Sequence, residues 1–349
     1  MDQRDRFLGA MFGLAYGDAL SFPALFHRFQ HPDIPRKRHQ FLWRQNAELD
    51  ERGISRLMLP FTHRIAKETL EIGPTDDTEW AVFTLLALLE NDGPPSKESF
   101  LAAWKTHILP AKDQIHTSFS ERAAIENMER GLLPPATGND NPLHYEDCAV
   151  ARAVPIGLFC VGDADRAAQL AEWDAQITQA EDGIYAARAM AVAIALLAGG
   201  SRLDAALSRA RREFPADSWI AHVDQIALGC LSEIEQPADL TILLTARVIN
   251  SVYSYGNVAP ETLPAAFAIA QACGGDLHEA VALANSIAKS ADSLPAMVGA
   301  LCGAHQGIGV LSRMWRESLA TLRGLSVPFL AGANLEALTD RLMEKAGQV

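Results

Sequence analysis

Apolar residues recur along this chain at helical spacing, and the strict alternation of a half-buried strand is nearly absent. The run from Trp80 to Leu89 is apolar on nearly every face, which predicts a helix through the core rather than over it. Further helices are expected over 5–21, 97–107, 148–158, 165–180, 183–198, 265–273 and 277–289, with amphipathic helices filling 201–250. Breaks fall at Asn91-Asp92-Gly93-Pro94-Pro95, at the turn-rich stretch 131–147 and at Tyr253 to Pro264. Residues 26–72 read as a polar, basic loop with one helix, open to solvent or closing over an anionic ligand. No repeat period or domain boundary emerges. The expectation is an all-α fold, a single large multi-helical bundle over residues 1–349.

Two stretches stand out because they share a design. Gly73 and Pro74 break the chain, Thr75 or Asp76 is placed to cap, and Asp76 and Asp77 open the apolar helix. Far downstream, Ser290-Ala291-Asp292-Ser293 precedes another apolar helix with Pro295 in its first turn. Acids and hydroxyls at helix N-termini are ordinary caps, favoured by the partial positive charge there. The same oxygen-only donors, closely spaced on rigid elements, also suit a hard cation.

Glycines recur every four residues at 9, 13 and 17, and again at 299, 303 and 307. Glycine costs helix stability, so each stripe marks a close approach of another backbone, and the two are candidates to pack on one another. Asp18, at the end of the first stripe, is expected to be a buried acid supporting its neighbours. Arg152 lies in an otherwise apolar stretch and is therefore either paired or facing a ligand.

Charge and cysteines narrow the class. The 30 Lys and Arg against 43 Asp and Glu give a net charge of −13, which argues against nucleic acid and anionic membranes as partners. The 5 cysteines are scattered without C-x-x-C spacing, so neither a zinc site nor a disulfide framework is indicated. That usage, with no signal-peptide pattern and no membrane-spanning apolar run, is the expectation for a soluble cytoplasmic protein.

In this order, the segment Phe7 to Leu20, the motif Thr75-Asp76-Asp77-Thr78 and the stretch Ser290 to Ala304 resemble the ADP-ribosylglycohydrolase family. That family carries Thr-Asp-Asp-Thr and closes with Asp-x-Asp-Thr before a Gly-Ala-x-x-Gly-Ala helix, here Gly299 to Ala304. Its Asn-Gly-x-x-Met-Arg-x-x-Pro segment is similar to Asp147 through Pro155. The resemblance implies a helical bundle holding one or two Mg2+ (or Mn2+) ions. It implies hydrolysis of a bond at the ribose C1 of ADP-ribose, on an ADP-ribosylated protein or a small ribosyl substrate. It also implies Thr75, Asp76, Asp77, Asp292 and Ser293 as metal ligands, with Asp76 or Asp77 positioning or deprotonating the attacking water. Asp147, Cys148, Ala149 and Arg152, with Tyr255, Gly256 and Asn257, would line the ligand pocket.

The chain departs from that pattern at several points. Ser290 replaces the first acid of Asp-x-Asp, Leu25 stands where a glutamate is common, and Gln179 replaces a histidine. Glu146-Asp147-Cys148 replaces a glycine-bearing loop, and either acid is a candidate for the missing carboxylate. Lys289, if turned inward, would fill the space of a lost cation. The alternative is a family member that has lost turnover and serves as an ADP-ribose-type binding or structural protein. A third reading is an unrelated helical protein with well-capped helices.

Overall fold

The computed structural model describes residues 1–24, 51, 73–249 and 256–348. The basic loop over 26–72 apart from Glu51, together with Leu25 and Tyr255, lies outside the described residues. The principal helices are α1 (Gln3–Ala24), α2 (Asp76–Glu90), α3 (Phe119–Glu129), α4 (Cys148–Phe159), α5 (Ala164–Ala175) and α6 (Asp182–Ala198). They continue as α7 (Trp219–Glu233), α8 (Ala259–Ala272), α9 (Leu277–Asn285), α10 (Leu294–Gln306) and α11 (Leu335–Ala346). Among the described residues there is no strand, only isolated bridges at Glu146–Val258 and Thr321–Asn334. The fold is all-α.

The glycine stripes meet as expected and hold the centre. A Cβ on Gly9 would stand 2.1 Å from the Gly303 carbonyl oxygen, one on Gly13 2.1 Å from that of Gly299, and one on Gly17 1.9 Å from that of Pro295. Rising numbers on α1 therefore face falling numbers on α10, and the helices cross backbone to backbone in antiparallel order. Gly307, the last of the second stripe, closes α10 at φ +79°, a left-handed geometry glycine adopts freely. Around this pair the buried apolar side chains form one continuous core. The Ala-rich α6 packs against α4 and α5, and α4 packs against α2.

Several boundaries differ from the sequence pattern. The helix expected over 97–107 is α-helical only at Lys97–Ala103 and continues as a π-helical turn at Trp104–Ile108. Helix α8 begins at Ala259, not at 265, so Pro260 and Pro264 lie within it. Proline is tolerated in a first turn, where the missing N–H has no helical acceptor, and Pro264 forgoes only the bond back to Pro260. The helix expected to run to residue 289 stops at Asn285, and a short 3₁₀ turn at Ala288–Ser290 leads into the second key stretch. No helix among the described residues is long and apolar enough to cross a membrane.

Candidate functional site

Neither key stretch caps its own helix. Thr75 is the N-cap of α2 but its side chain makes no capping bond, and the same holds for Ser293 before α10. The cap of α2 comes from α1: the buried Asp18 accepts from the Thr75 amide at 2.8 Å and the Thr78 amide at 3.1 Å. Both threonine hydroxyls donate to the same carboxylate. A distant acid thus satisfies the orphan amides of the helix start, a task the sequence reading assigned to Thr75 or Asp76. Burial pushes the Asp18 carboxyl up to about 6, although its four hydrogen bonds favour the ionised form.

With capping delegated, Asp76 and Asp77 turn elsewhere. Asp76 keeps an exposed side chain and Asp77 a half-buried one, yet both stand deep among protein atoms, so they line a recess that water enters. Burial, then the charges of Asp292 and Asp18, push the Asp76 carboxyl up to about 8. The Asp77 carboxyl is pushed well up by burial and by Asp76, Asp18, Asp292 and Asp147. Two stretches more than 200 positions apart in the chain therefore feel one another's charge.

The floor between them comes from the starts of α4 and α8. Asp147, at the N-cap of α4, is buried; its amide donates to the Asn257 carbonyl at 3.2 Å and its Oδ1 accepts from the Ser293 hydroxyl at 3.3 Å. Asn257 Nδ2 donates in turn to Asp292 Oδ2 at 3.1 Å. Burial, with the charges of Glu146 and Asp292, raises the Asp147 carboxyl to about 8; the nearby Thr262 hydroxyl, which donates to the Val258 carbonyl at 3.2 Å, opposes the rise. Gly256 lies where a Cβ would stand 2.4 Å from the Lys289 carbonyl oxygen. Asp147, Gly256, Asn257, Asp292 and Ser293 are thus brought together.

Other predicted residues lie differently. Arg152 is paired within the protein: Nε donates to Asp174 at 2.9 Å, Nη2 to Thr178 at 2.8 Å, and Nη1 lies 3.5 Å from Glu121. The guanidinium is fully buried and also lies over Trp104. Ala149 is buried in the core cluster. The Cys148 thiol contacts Ser120 at 3.2 Å and Gln179 Nε2 at 2.9 Å, and burial drives its pKa up, which favours the thiol over the thiolate. Lys289 pairs with the buried Glu261 at 2.9 Å.

Three further acids organise the surroundings: Glu146, a candidate for the missing carboxylate, and Glu121 and Glu79, to which the sequence reading gives no role. Glu146 accepts from the amides of Phe119 at 3.3 Å and Ser120 at 2.7 Å, which commits it to the start of α3. Glu121 closes a capping box with Ser118 and carries the Arg152 pair; burial raises its carboxyl to about 7. The Ser-x-x-Glu spacing was a legible signal for that box. Glu79 accepts from the amides of Leu325, Ser326 and Val327 at 2.8, 2.7 and 2.8 Å, and nothing local announces it.

The donor set suits a hard cation in kind, being carboxylate and hydroxyl oxygen throughout. Two buried oxygens here have no hydrogen-bond partner, Asp147 Oδ2 and Ser290 Oγ. Among the described residues no three His, Cys, Asp or Glu side chains stand close enough to hold one ion, so a cation bound here must also take hydroxyl oxygens.

The fold is an all-helical bundle in which paired aspartates open one core helix and an Asp-Ser stretch leads into another. A family model for ADP-ribosylglycohydrolase matches residues 1–349, and the chain belongs to that family. A solved structure described as an ADP-ribosylglycohydrolase-related protein complex is 23% identical, with 99% of each chain covered and a TM-score of 0.63. At that identity the likeness is one of fold. No curated protein matches the chain.

Proposed function

We propose that this protein hydrolyses an N- or O-glycosidic bond at the ribose C1 of an ADP-ribosyl group, on a modified protein or a smaller ribosyl substrate. Family membership supports glycohydrolase chemistry. The observation that carries the reading to particular residues is the Asp18 clamp. By capping α2 it leaves Asp76 and Asp77 free to line the recess, within range of Asp292. Thr75, Asp76, Asp77, Asp292 and Ser293 would hold one or two Mg2+ or Mn2+ ions; a bound ion would orient the ribose diol and make water a better nucleophile. Asp76 or Asp77 takes the proton of the attacking water, a task suited to a carboxylate whose proton affinity is raised by neighbouring acids. Gly256 and Asn257 border the ligand, and Asn257 fixes Asp292.

A second reading has its own observation. Ser290 Oγ is buried without a partner where the family pattern places an acid, and a hydroxyl binds a divalent ion less strongly than a carboxylate. On that reading the protein binds an ADP-ribose-type ligand without turning it over.

One experiment separates them: release of ADP-ribose from an ADP-ribosylated protein, with chelator and then with Mg2+ or Mn2+ restored. Turnover that chelation abolishes and metal restores is expected. ADP-ribose binding without turnover at any metal concentration would establish the second reading, and neither binding nor turnover would overturn both.

A further inference from the structure

Asp147 is a buried carboxylate with half its valence accounted for. Oδ1 accepts from the Ser293 hydroxyl at 3.3 Å, whereas Oδ2 is buried without a hydrogen-bond partner. A buried carboxylate oxygen left unpaired is costly, and such groups usually mark a ligand or ion. The adjacent acid shows the contrast: both oxygens of Glu146 are taken by the amides of Phe119 and Ser120. Asp147 is also tied to the second key stretch at two points, directly through Ser293 and through Asn257, whose carbonyl accepts from its amide and whose side chain donates to Asp292. That stretch holds the other buried oxygen without a partner, Ser290 Oγ.

We infer that Asp147 is a cation ligand in this chain, its Oδ2 supplying beside Asp292 the carboxylate oxygen that Ser290 does not. The inference rests on the cation reading of the proposed function. A short side chain on the N-cap of a core helix holds its oxygen in a fixed place, which suits a metal ligand. Ser293 and Asn257 then act as braces. The first holds Oδ1 so that Oδ2 is presented, and the second sets the spacing between Asp147 and Asp292. Of the two acids in Glu146-Asp147, only Asp147 has an oxygen to give.

The test is calorimetric titration of the chelator-stripped full-length chain with Mn2+. The unmodified protein is expected to bind, and Asp147→Asn to weaken binding about tenfold or more with circular dichroism unchanged. Glu146→Gln removes the same charge from the neighbouring position and is expected to change affinity by less than about threefold if charge alone is not the cause. Equal weakening by both variants would reduce Asp147 to a source of field and overturn the assignment, as would an Asp147→Asn protein that binds like its parent. If Asp147→Asn misfolds, Asp147→Ser, which keeps a small capping oxygen, is read in the same way. No Mn2+ binding by the unmodified protein would sink the cation reading itself and this inference with it. Binding retained in Asp147→Asn but lost in Asp77→Asn would overturn this inference alone.

Discussion

The Asp18 carboxylate and the Thr75 amide, 57 positions apart, meet at 2.8 Å and fasten the start of α2 to the end of the glycine-striped α1. Removing the carboxylate strands the Thr75 and Thr78 amides in a buried place. Asp18→Ala is expected to cost about 1–3 kcal/mol of stability, read as a lower urea midpoint at unchanged slope. A drop within error would show that water or another group can replace the clamp.

The α1–α10 crossing leaves no room for a methyl group. Gly13→Ala would place Cβ 2.1 Å from the Gly299 carbonyl oxygen, so overpacking outweighs the gain in helix propensity, and a net loss of about 1–3 kcal/mol is expected. Gly229, inside α7, is the control, because a Cβ there meets nothing within 4 Å. Gly229→Ala should stabilise by about 0.5–1 kcal/mol. Thermal melting of the two variants checks both signs.

Arg152 acts on the fold. Arg152→Met leaves Asp174 and Glu121 buried without their cation and is expected to cost about 3–5 kcal/mol. Arg152→Lys should recover only part of that, since an ammonium cannot reproduce the forked contacts to Asp174 and Thr178. A stable Arg152→Met protein with weakened ADP-ribose binding would instead return the residue to the ligand pocket.

Stability of the chelated protein should fall as pH rises. Asp18, Glu121 and Asp147, all buried, have folded-state values near 6, 7 and 8, above the ordinary carboxylate range of about 4. Between that range and those values the folded chain binds more protons than the unfolded one, so acidification stabilises it. The melting temperature in chelator is expected to rise from pH 8 to pH 6. Saturating Mg2+ should flatten that slope by keeping the recess acids ionised. An equal slope with and without Mg2+ would count against a cation there.

Asp77→Asn is nearly isosteric and keeps the helix start intact. Turnover should vanish while the melting temperature in chelator stays level or rises, because a like charge has left a crowded recess. Activity retained in this variant would remove Asp77 from the catalytic pair.

Local pattern made the helices, the paired glycine stripes and the two acid-hydroxyl stretches legible, because helical periodicity and backbone approach are written in residues a few positions apart. The family resemblance rested on that ordered set. Polar pairing was not legible in the same way. Nothing near Thr75 says that its amide is capped from Asp18, and nothing near Arg152 says that Asp174, Thr178 and Glu121 will surround it. Buried polar groups take whichever partner the packed helices bring within hydrogen-bond reach, and that reach is a property of the assembled bundle. Sequence alone left Glu146 and Asp147 as equal candidates for the missing carboxylate. The tertiary structure commits Glu146 to the α3 amides and leaves one Asp147 oxygen without a protein partner, because only the packing of α3, α4 and the 290–293 stretch decides which acid meets amides first.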